Sequence, residues 1–206
     1  PGGEGFIHTG MVRAIHAHVR RVHNRKGLDY SHYGAPISEF DMLRTWFDFT
    51  YIPYAGLRRM GWQLTAEEEE DAFYLWKIVG RMLGIRTDLF RGEDGVEASQ
   101  ETMDAIHSVD GEINDSARKL VDALMSGFVV NAQELTDLPE GTLADWTAAH
   151  VRIIHGDEVA DACGVADSVM RPILEMEAPL VQERFDLLRH NEEALEAEIK
   201  KNEGMV

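Results

Sequence analysis

The stretch 11–23, MVRAIHAHVRRVH, decides the fold class that this sequence predicts. Its aliphatic residues recur at steps of three and four, as Val12, Ile15, Val19 and Val22. That spacing is the period of an amphipathic α-helix with one apolar face. The other periodic segments of the chain follow the same period, and none shows the alternation typical of a β-strand. The sequence therefore predicts an all-α protein.

One histidine and two arginines make the same helix a candidate binding element. His16 lies on the side of the valines, and Arg13 and Arg20 flank it at i−3 and i+4. Burying an imidazole costs free energy unless the ring finds a partner. A histidine that faces an apolar space between two cations suits haem. Its ring nitrogen could ligate the iron while the guanidinium groups bind the propionates.

Another explanation of His16 stays open beside the haem ligand. A histidine on an apolar face is more often a core residue, hydrogen-bonded to a backbone carbonyl or a carboxylate. Chelation of one metal ion by this helix alone is disfavoured. His16 and His23 are seven residues apart, which is about 10 Å along a helix. His16 and His18 point in different directions.

Length and charge restrict the class of protein and its partners. At 206 residues the chain fits one domain with a hydrophobic core. The net charge of −17 argues against nucleic acid and anionic membrane surfaces, because both attract clustered lysine and arginine. The basic stretch 13–26 is an exception. It suggests a local anionic ligand such as propionates, although a solvated helix face would explain it too.

Cysteine content and hydropathy give further limits. Cys163 is the only cysteine, so the sequence predicts neither a disulfide framework nor a cysteine metal site. No run of about 18 apolar residues predicts a transmembrane helix, and no signal peptide is recognisable. We therefore expect a soluble protein, with a cytoplasmic and a secreted location both open.

The segment 36–60 is predicted to be the second helical region. Ser38 and Asp41 form a capping box with a shorter acid, and Pro53 should kink or end the helix. The segment is apolar over most of its circumference, so we expect it to be central and buried. A buried carboxylate usually has a partner. Asp41 or Asp48 is therefore expected to pair with an arginine of the first helix.

Caps and glycines predict the other elements and a single domain. Residues 2–5 are expected to form a loop before the first helix, and Gly27 to end that helix. Residues 1–165 are expected to form the core of a 1–206 domain and 166–206 a C-terminal helical extension. The further predicted helices are 65–84 with a Thr65–Glu68 capping box and a Gly84 cap, 96–107, 111–125, 142–156, 157–163, and one capped by Asp167 or Ser168 that bends at Pro179.

Several short motifs occur in an order that resembles a known family. The chain is similar to the latex clearing protein (rubber oxygenase) domain family, which also includes the oxygenase of the mycophenolic acid pathway. The resemblance is close over residues 1–85 and looser over 96–165. Its motifs are Pro1-Gly2-Gly3-Glu4-Gly5-Phe6, Arg13-x-x-His16-Ala17-His18-Val19-Arg20, Gly34-Ala35-Pro36-Ile37, Asp41-Met42-Leu43-x-Thr45-x-x-x-Phe49, and Trp76-x-x-Val79-Gly80.

The resemblance implies an all-helical fold with a globin-like arrangement around haem b. His16 matches the family's axial histidine and hence its iron ligand. Arg13 and Arg20 match the neighbouring arginines, and the second helix, with Asp41 and Thr45, would line the pocket. Characterised members cleave carbon–carbon double bonds of polyisoprene with dioxygen, and others cleave prenyl side chains. The resemblance therefore implies an apolar small-molecule or polymer substrate and dioxygen as the second substrate.

The sequence departs from the family's pattern at its start. In the family, the segment before the Pro-Gly-Gly loop carries the distal basic and threonine residues and the general base. We therefore expect an incomplete site whose distal part comes from a preceding segment, from a second chain or homo-oligomer, or is absent. Trp46, Phe47 and Trp146 would then be partly uncovered. The competing functions are a non-catalytic haem-binding half of an assembly, and a helical structural protein without a cofactor.

Overall fold

The computed structural model describes residues 2–27, 29–90, 92, 94–109 and 111–202. Pro1, the first residue of the expected N-terminal loop, lies outside them. Regular structure within these ranges is helical, and no strand is present there. The all-α prediction is confirmed. The globin-like arrangement that the resemblance implies stays a prediction.

The helices are numbered in chain order, with one 3₁₀ helix, Thr87–Phe90, between the fifth and the sixth. They are α1 (Glu4–Lys26), α2 (Tyr30–Tyr33), α3 (Glu39–Phe49), α4 (Tyr51–Arg59), α5 (Ala66–Leu83), α6 (Val96–Val109), α7 (Asp115–Leu135), α8 (Glu140–His155), α9 (Asp157–Cys163), α10 (Arg171–Arg189) and α11 (Glu192–Asn202).

The helices belong to two compact units. Unit 1 comprises Pro1–Pro53 and Leu64–Asp110, and unit 2 comprises Tyr54–Gln63 and Gly111–Val206. The expected division into a 1–165 core and a 166–206 extension stays a prediction. In the structure, α10 and α11 belong to the same unit as α7, α8 and α9.

Unit 1 is built on α5, against which α1 and α3 pack. The two predicted capping boxes are confirmed. Ser38 and Asp41 exchange hydrogen bonds at the start of α3, and Thr65 and Glu68 do so at the start of α5. Such caps satisfy amide groups that have no partner within the helix. The core of unit 1 contains the buried aromatic rings of Trp46, Phe47, Phe73 and Phe90.

Unit 2 is organised around α8, which packs against α7, α9 and α10. Small side chains allow these helices to pack closely. Ala148, Ala160 and Val165 form a buried cluster in unit 2. Position 61 in unit 2 also requires glycine. Its φ of 86° is left-handed, and a Cβ atom would lie 2.0 Å from the carbonyl oxygen of Ala178.

Several predicted helix boundaries in unit 1 are wrong. Helix α1 begins at Glu4, so the second half of the expected loop at residues 2–5 is helical, whereas Gly27 caps the helix as predicted. The second helical region breaks at Thr50 rather than at Pro53. The Thr50 hydroxyl donates to the Trp46 carbonyl oxygen at 2.9 Å. Pro53 lies in the first turn of α4, where its missing N–H costs little.

Boundaries in unit 2 also differ from the prediction. Helix α7 continues to Leu135, ten residues past the expected end, because Val129 extends its inward face. Helix α8 begins at Glu140, two residues early. Neither Asp167 nor Ser168 caps α10, since its cap residue is Met170, and the helix continues through Pro179.

Candidate functional site

A cavity of about 560 Å³ lies within unit 1. Its size falls in the range of small-molecule and cofactor sites. Helix α1 forms one side, and α3 and α5 supply most of the opposite wall. Most of the lining side chains are apolar, and the full set is Val12, His16, Ile37, Asp41, Met42, Thr45, Trp46, Phe49, Trp76, Val79, Leu83 and Ile85.

Aromatic contacts hold the α3–α5 wall of the cavity. The Phe49 and Trp76 rings stack with their centroids 5.1 Å apart. The Trp46 indole N–H donates to the Trp76 carbonyl oxygen at 2.8 Å, and this ring also contacts Phe47 and Phe73 edge-on. Paired rings of this kind restrict each other's orientation. The wall is therefore an ordered apolar surface.

His16 is the titratable base of this cavity. Its side chain is half-buried on α1, and its Nδ1 atom is buried without a hydrogen-bond partner in the structure. Burial, and secondly the charge of Arg20, lower the pKa of His16 below its ordinary value of 6.5. The imidazole is therefore neutral at pH 7, the form that ligates metals.

Arg13 and Arg20 both attach α1 to neighbouring segments. The Arg13 Nη1 donates to the Met82 carbonyl oxygen at 2.7 Å, at the C-terminal end of α5. The Arg20 Nη1 donates to the Ile37 carbonyl oxygen at 3.0 Å. A guanidinium group has five N–H donors, so each of these arginines has donors left for an anion.

Asp41 and Thr45 line the cavity from α3, and both are exposed. The expected ion pair between Asp41 and an arginine of α1 is not formed. The Asp41 carboxylate instead accepts the Ser38 backbone N–H at 2.8 Å. The capping box uses this carboxylate because the first amides of a helix have no intrahelical acceptor.

The three aromatic residues expected to be partly uncovered differ from one another. Trp46 and Phe47 are 3% and 0% exposed, so the prediction is wrong for both, because α5 and the segment after it cover them. Trp146 is 44% exposed and follows the prediction. The expectation that the second helical region is central and buried is wrong in part, because Phe40 and Phe49 on α3 are about half exposed.

Two contributors to the cavity were not identified from the sequence. The wall from α5, with Trp76, Val79 and Leu83, was visible as an apolar pattern at steps of three and four but was assigned only to a predicted helix and not to the site. Ile37 has a left-handed φ of 54°. A β-branched residue is rarely found in that conformation, so no sequence signal indicates it.

Unit 2 contains a different charged cluster around Arg152, which is only 6% exposed. Its guanidinium contacts Asp157 at 2.8 Å and Asp161 at 2.6 Å. It also donates to the carbonyl oxygens of Ala166 at 2.9 Å and Val165 at 2.5 Å. A buried charge with this many partners is typical of a structural ion pair.

A second cavity, of about 390 Å³, lies in unit 2 and is more polar than the first. Its lining includes Asp122, Asp145, Asp167 and Cys163. Within the described part of the chain, no three histidine, cysteine, aspartate or glutamate side chains are placed to hold a metal ion.

Comparison with known families gives one match. The family model described as "ER-bound oxygenase mpaB/B'/Rubber oxygenase, catalytic domain" matches residues 1–180 of the chain. No curated protein and no solved structure matches significantly. Among the described residues, no helix is both long and apolar enough to cross a membrane.

Proposed function

This chain belongs to the family of mpaB/B' and rubber oxygenase catalytic domains, and on that premise we propose that it is a haem b-dependent oxygenase. Its substrate in this proposal is an apolar, isoprenoid-like molecule or polymer whose carbon–carbon double bond is cleaved with dioxygen. The observation that carries the proposal is the neutral, half-buried His16 in an apolar cavity.

His16 fits an axial ligand better than the alternative of a core histidine. A core histidine would need a hydrogen bond to a carbonyl or a carboxylate, whereas the buried Nδ1 has no partner in the structure. In the proposal, His16 would hold the iron through Nε2. One imidazole would suffice, because the porphyrin would supply its own nitrogen ligands.

The other residues would bind and orient the prosthetic group. Arg13 and Arg20 keep α1 at the rim of the cavity through one carbonyl each, and their remaining N–H groups would meet the propionates. Thr45 and Asp41 offer polar atoms on the α3 side. The stacked Phe49 and Trp76 rings supply a flat apolar surface of the kind that packs on a macrocycle.

Haem bound in this way would supply the binding and activation of dioxygen. The protein's own contribution is exclusion of water from the reacting region and alignment of an uncharged chain along the α3–α5 wall. Met42, Val79 and Leu83 are apolar, so a chain that packs on them desolvates no charged group there, and Asp41 is the one charged residue of the described lining on α3. An apolar chain is therefore favoured over a polar one by burial of its surface.

Haem reconstitution tests the proposal. We expect the parent protein to bind stoichiometric haem with a Soret band, and His16→Ala to lose it. His18→Ala is the matched control, because His18 is exposed on the same helix and contacts Arg21 there. Equal haem occupancy in the two variants would remove His16 as the ligand. Oxygen uptake with a short polyisoprene oligomer then tests the reaction itself.

A second candidate function is a haem-binding half of an assembly whose distal residues come from another polypeptide segment. The exposed apolar side chains of α1 favour it, since Phe6, Ile7, Met11 and Ile15 are all more than half exposed. Exposed apolar surface of this kind is typical of an interaction site. Haem binding without oxygen uptake, together with a solution mass above that of one chain, would support this alternative.

A further inference from the structure

Ile37 stands out on the backbone of unit 1. It is the one non-glycine residue with a positive φ, 54°, among the residues that the structure describes. This conformation is strained for a β-branched residue and persists only where the surrounding structure holds it. Ile37 is also half-buried in the wall of the cavity. The strain therefore lies at the candidate site.

Arg20 is the group that holds this segment. Its Nη1 atom donates to the carbonyl oxygen of Ile37 at 3.0 Å, and both side chains are half-buried. Helices α1 and α3 each pack on α5, and the cavity lies between them. The bond from Arg20 therefore joins the two sides of the cavity directly.

Ile37 also determines where α3 begins. Ser38 is the N-cap of α3, so Ile37 occupies the position before the cap and Met42 the fourth helical position. Apolar residues at these two positions commonly pack together and fix the angle at which the chain joins a helix. Both residues line the cavity. The backbone conformation of Ile37 therefore sets the orientation of the α3 wall.

We propose that Arg20 is a positioning residue that holds Ile37 in its left-handed conformation and thereby sets the width of the cavity between α1 and α3. Arg20 selects the apolar guest by geometry, in addition to any charge that it offers to an anion. The inference rests on the proposed function only for the identity of the natural guest. The hydrogen bond and the strain are properties of the chain without it.

A double-mutant cycle in the haem-free protein tests the inference. Its four members are the parent, Arg20→Gln, Ile37→Gly and the double variant. The measurement is the affinity for N-phenyl-1-naphthylamine, an uncharged apolar fluorophore that has no anionic group to form an ion pair with a guanidinium. We expect Arg20→Gln to weaken binding by about threefold to tenfold, the effect of one net hydrogen bond. In the Ile37→Gly background the same change should have almost no effect, because glycine adopts a positive φ without strain.

Further single variants make the cycle interpretable. Arg20→Lys retains a donor for the Ile37 carbonyl and should restore part of the affinity, and Arg20→Met, which has no donor, replaces Arg20→Gln if that variant does not fold. Ile37→Asn keeps a side chain while tolerating the left-handed region, and it replaces Ile37→Gly if the cavity needs that volume. Arg21→Gln removes an equal charge from the exposed side of α1 and should bind the fluorophore like the parent.

The outcomes separate this inference from the proposed function. An equal loss of fluorophore affinity on Arg20→Gln in both backgrounds would overturn the inference. So would a loss of haem binding with unchanged fluorophore binding, because Arg20 would then act only as a partner of the propionates. Failure of the parent to bind haem would contradict the proposed function, whereas the cycle would still decide the role of Arg20.

Discussion

Arg20 in unit 1 and Arg152 in unit 2 show two uses of the same side chain. Arg152 is buried and its guanidinium donates to two carboxylates and two backbone carbonyls. Arg20 is half-buried and donates to one carbonyl, beside a histidine whose Nδ1 has no partner. A buried polar group left without a partner costs free energy. The donors of Arg152 in unit 2 therefore have hydrogen-bond partners, which stabilises the fold. In unit 1, polar atoms of Arg20 and His16 beside the cavity remain available to a ligand.

The pKa shifts of titratable groups also differ between the two units. The hydrogen bonds that Arg152 donates to Asp161 and, secondly, to Asp157 raise the pKa of Arg152. Hydrogen bonds from Arg171 and then Arg152 lower the pKa of Asp157. Each of these shifts favours the charged form. His16 is shifted the other way, since its burial favours the neutral form.

The largest effect is expected from Arg152→Met. This change leaves the buried carbonyl oxygen of Val165 and the part-buried one of Ala166 without their donor. The loss of the ion pairs and of the donor to a buried carbonyl group is destabilising, so we expect the melting temperature to fall by about 10 °C. Arg13→Met is the control, because Arg13 is exposed and makes one hydrogen bond. Similar melting temperatures for the two variants would contradict the contrast between the units.

A smaller effect is expected from Gly80→Ala in unit 1. A Cβ atom there would lie 2.6 Å from Phe90 Cζ and 3.3 Å from Trp46 Cδ1. Overpacking of this kind costs about 1–3 kcal/mol, and the shift of Trp46 should also weaken fluorophore binding in the cavity. Gly127→Ala is the matched helical control, because nothing lies within 4 Å of its Cβ position. It should stabilise the protein by up to about 1 kcal/mol. If both changes stabilised the protein, the α5 wall would have adjusted to the added methyl group. That outcome would contradict the prediction for Gly80→Ala.

The smallest effect is expected from Asp157→Asn, and it depends on pH. The pKa of Asp157 is lowered from its ordinary value of 3.8, so the unfolded chain takes up the proton first as the pH falls. The stabilisation by this carboxylate is therefore present above pH 3.8 and is lost as the pH falls through the folded-state pKa. At pH 7, Asp157→Asn should unfold at a lower denaturant concentration than the parent. The difference should be smaller than the one between the parent and Arg152→Met. Chemical denaturation from pH 7 to 2 should show the two curves converging, and a constant gap would contradict this account.

Local chemistry made much of the fold predictable. The capping boxes at Ser38 and Thr65 and the glycine caps Gly27 and Gly84 were predicted because their signals lie within a few residues of one another. The apolar face of α1 with His16 was predicted from its period alone. Such features need no knowledge of what the helix packs against.

Features that depend on burial, on a tertiary contact or on a choice between two partners were not predictable. The break at Thr50 depends on a fully buried threonine whose hydroxyl bonds to Trp46, and sequence reasoning assigned it to Pro53. The left-handed Ile37 is held by Arg20 from another helix. Asp41 was expected to meet an arginine, but its own capping box was the nearer partner. In each case a tertiary contact, or a competition between partners, determined the outcome.

Helix α1 carries 23 residues and none of them is buried. Helices in proteins owe most of their stability to packing rather than to propensity. The free energy needed to detach α1 is therefore well below that of unfolding the body that contains Phe47 and Phe73, and its amide hydrogens should exchange with solvent first. Detachment would carry His16 away from the α3–α5 wall and open the whole length of the cavity. A ligand as broad as a macrocycle could then enter the cavity when α1 alone detaches, while the aromatic core stays folded.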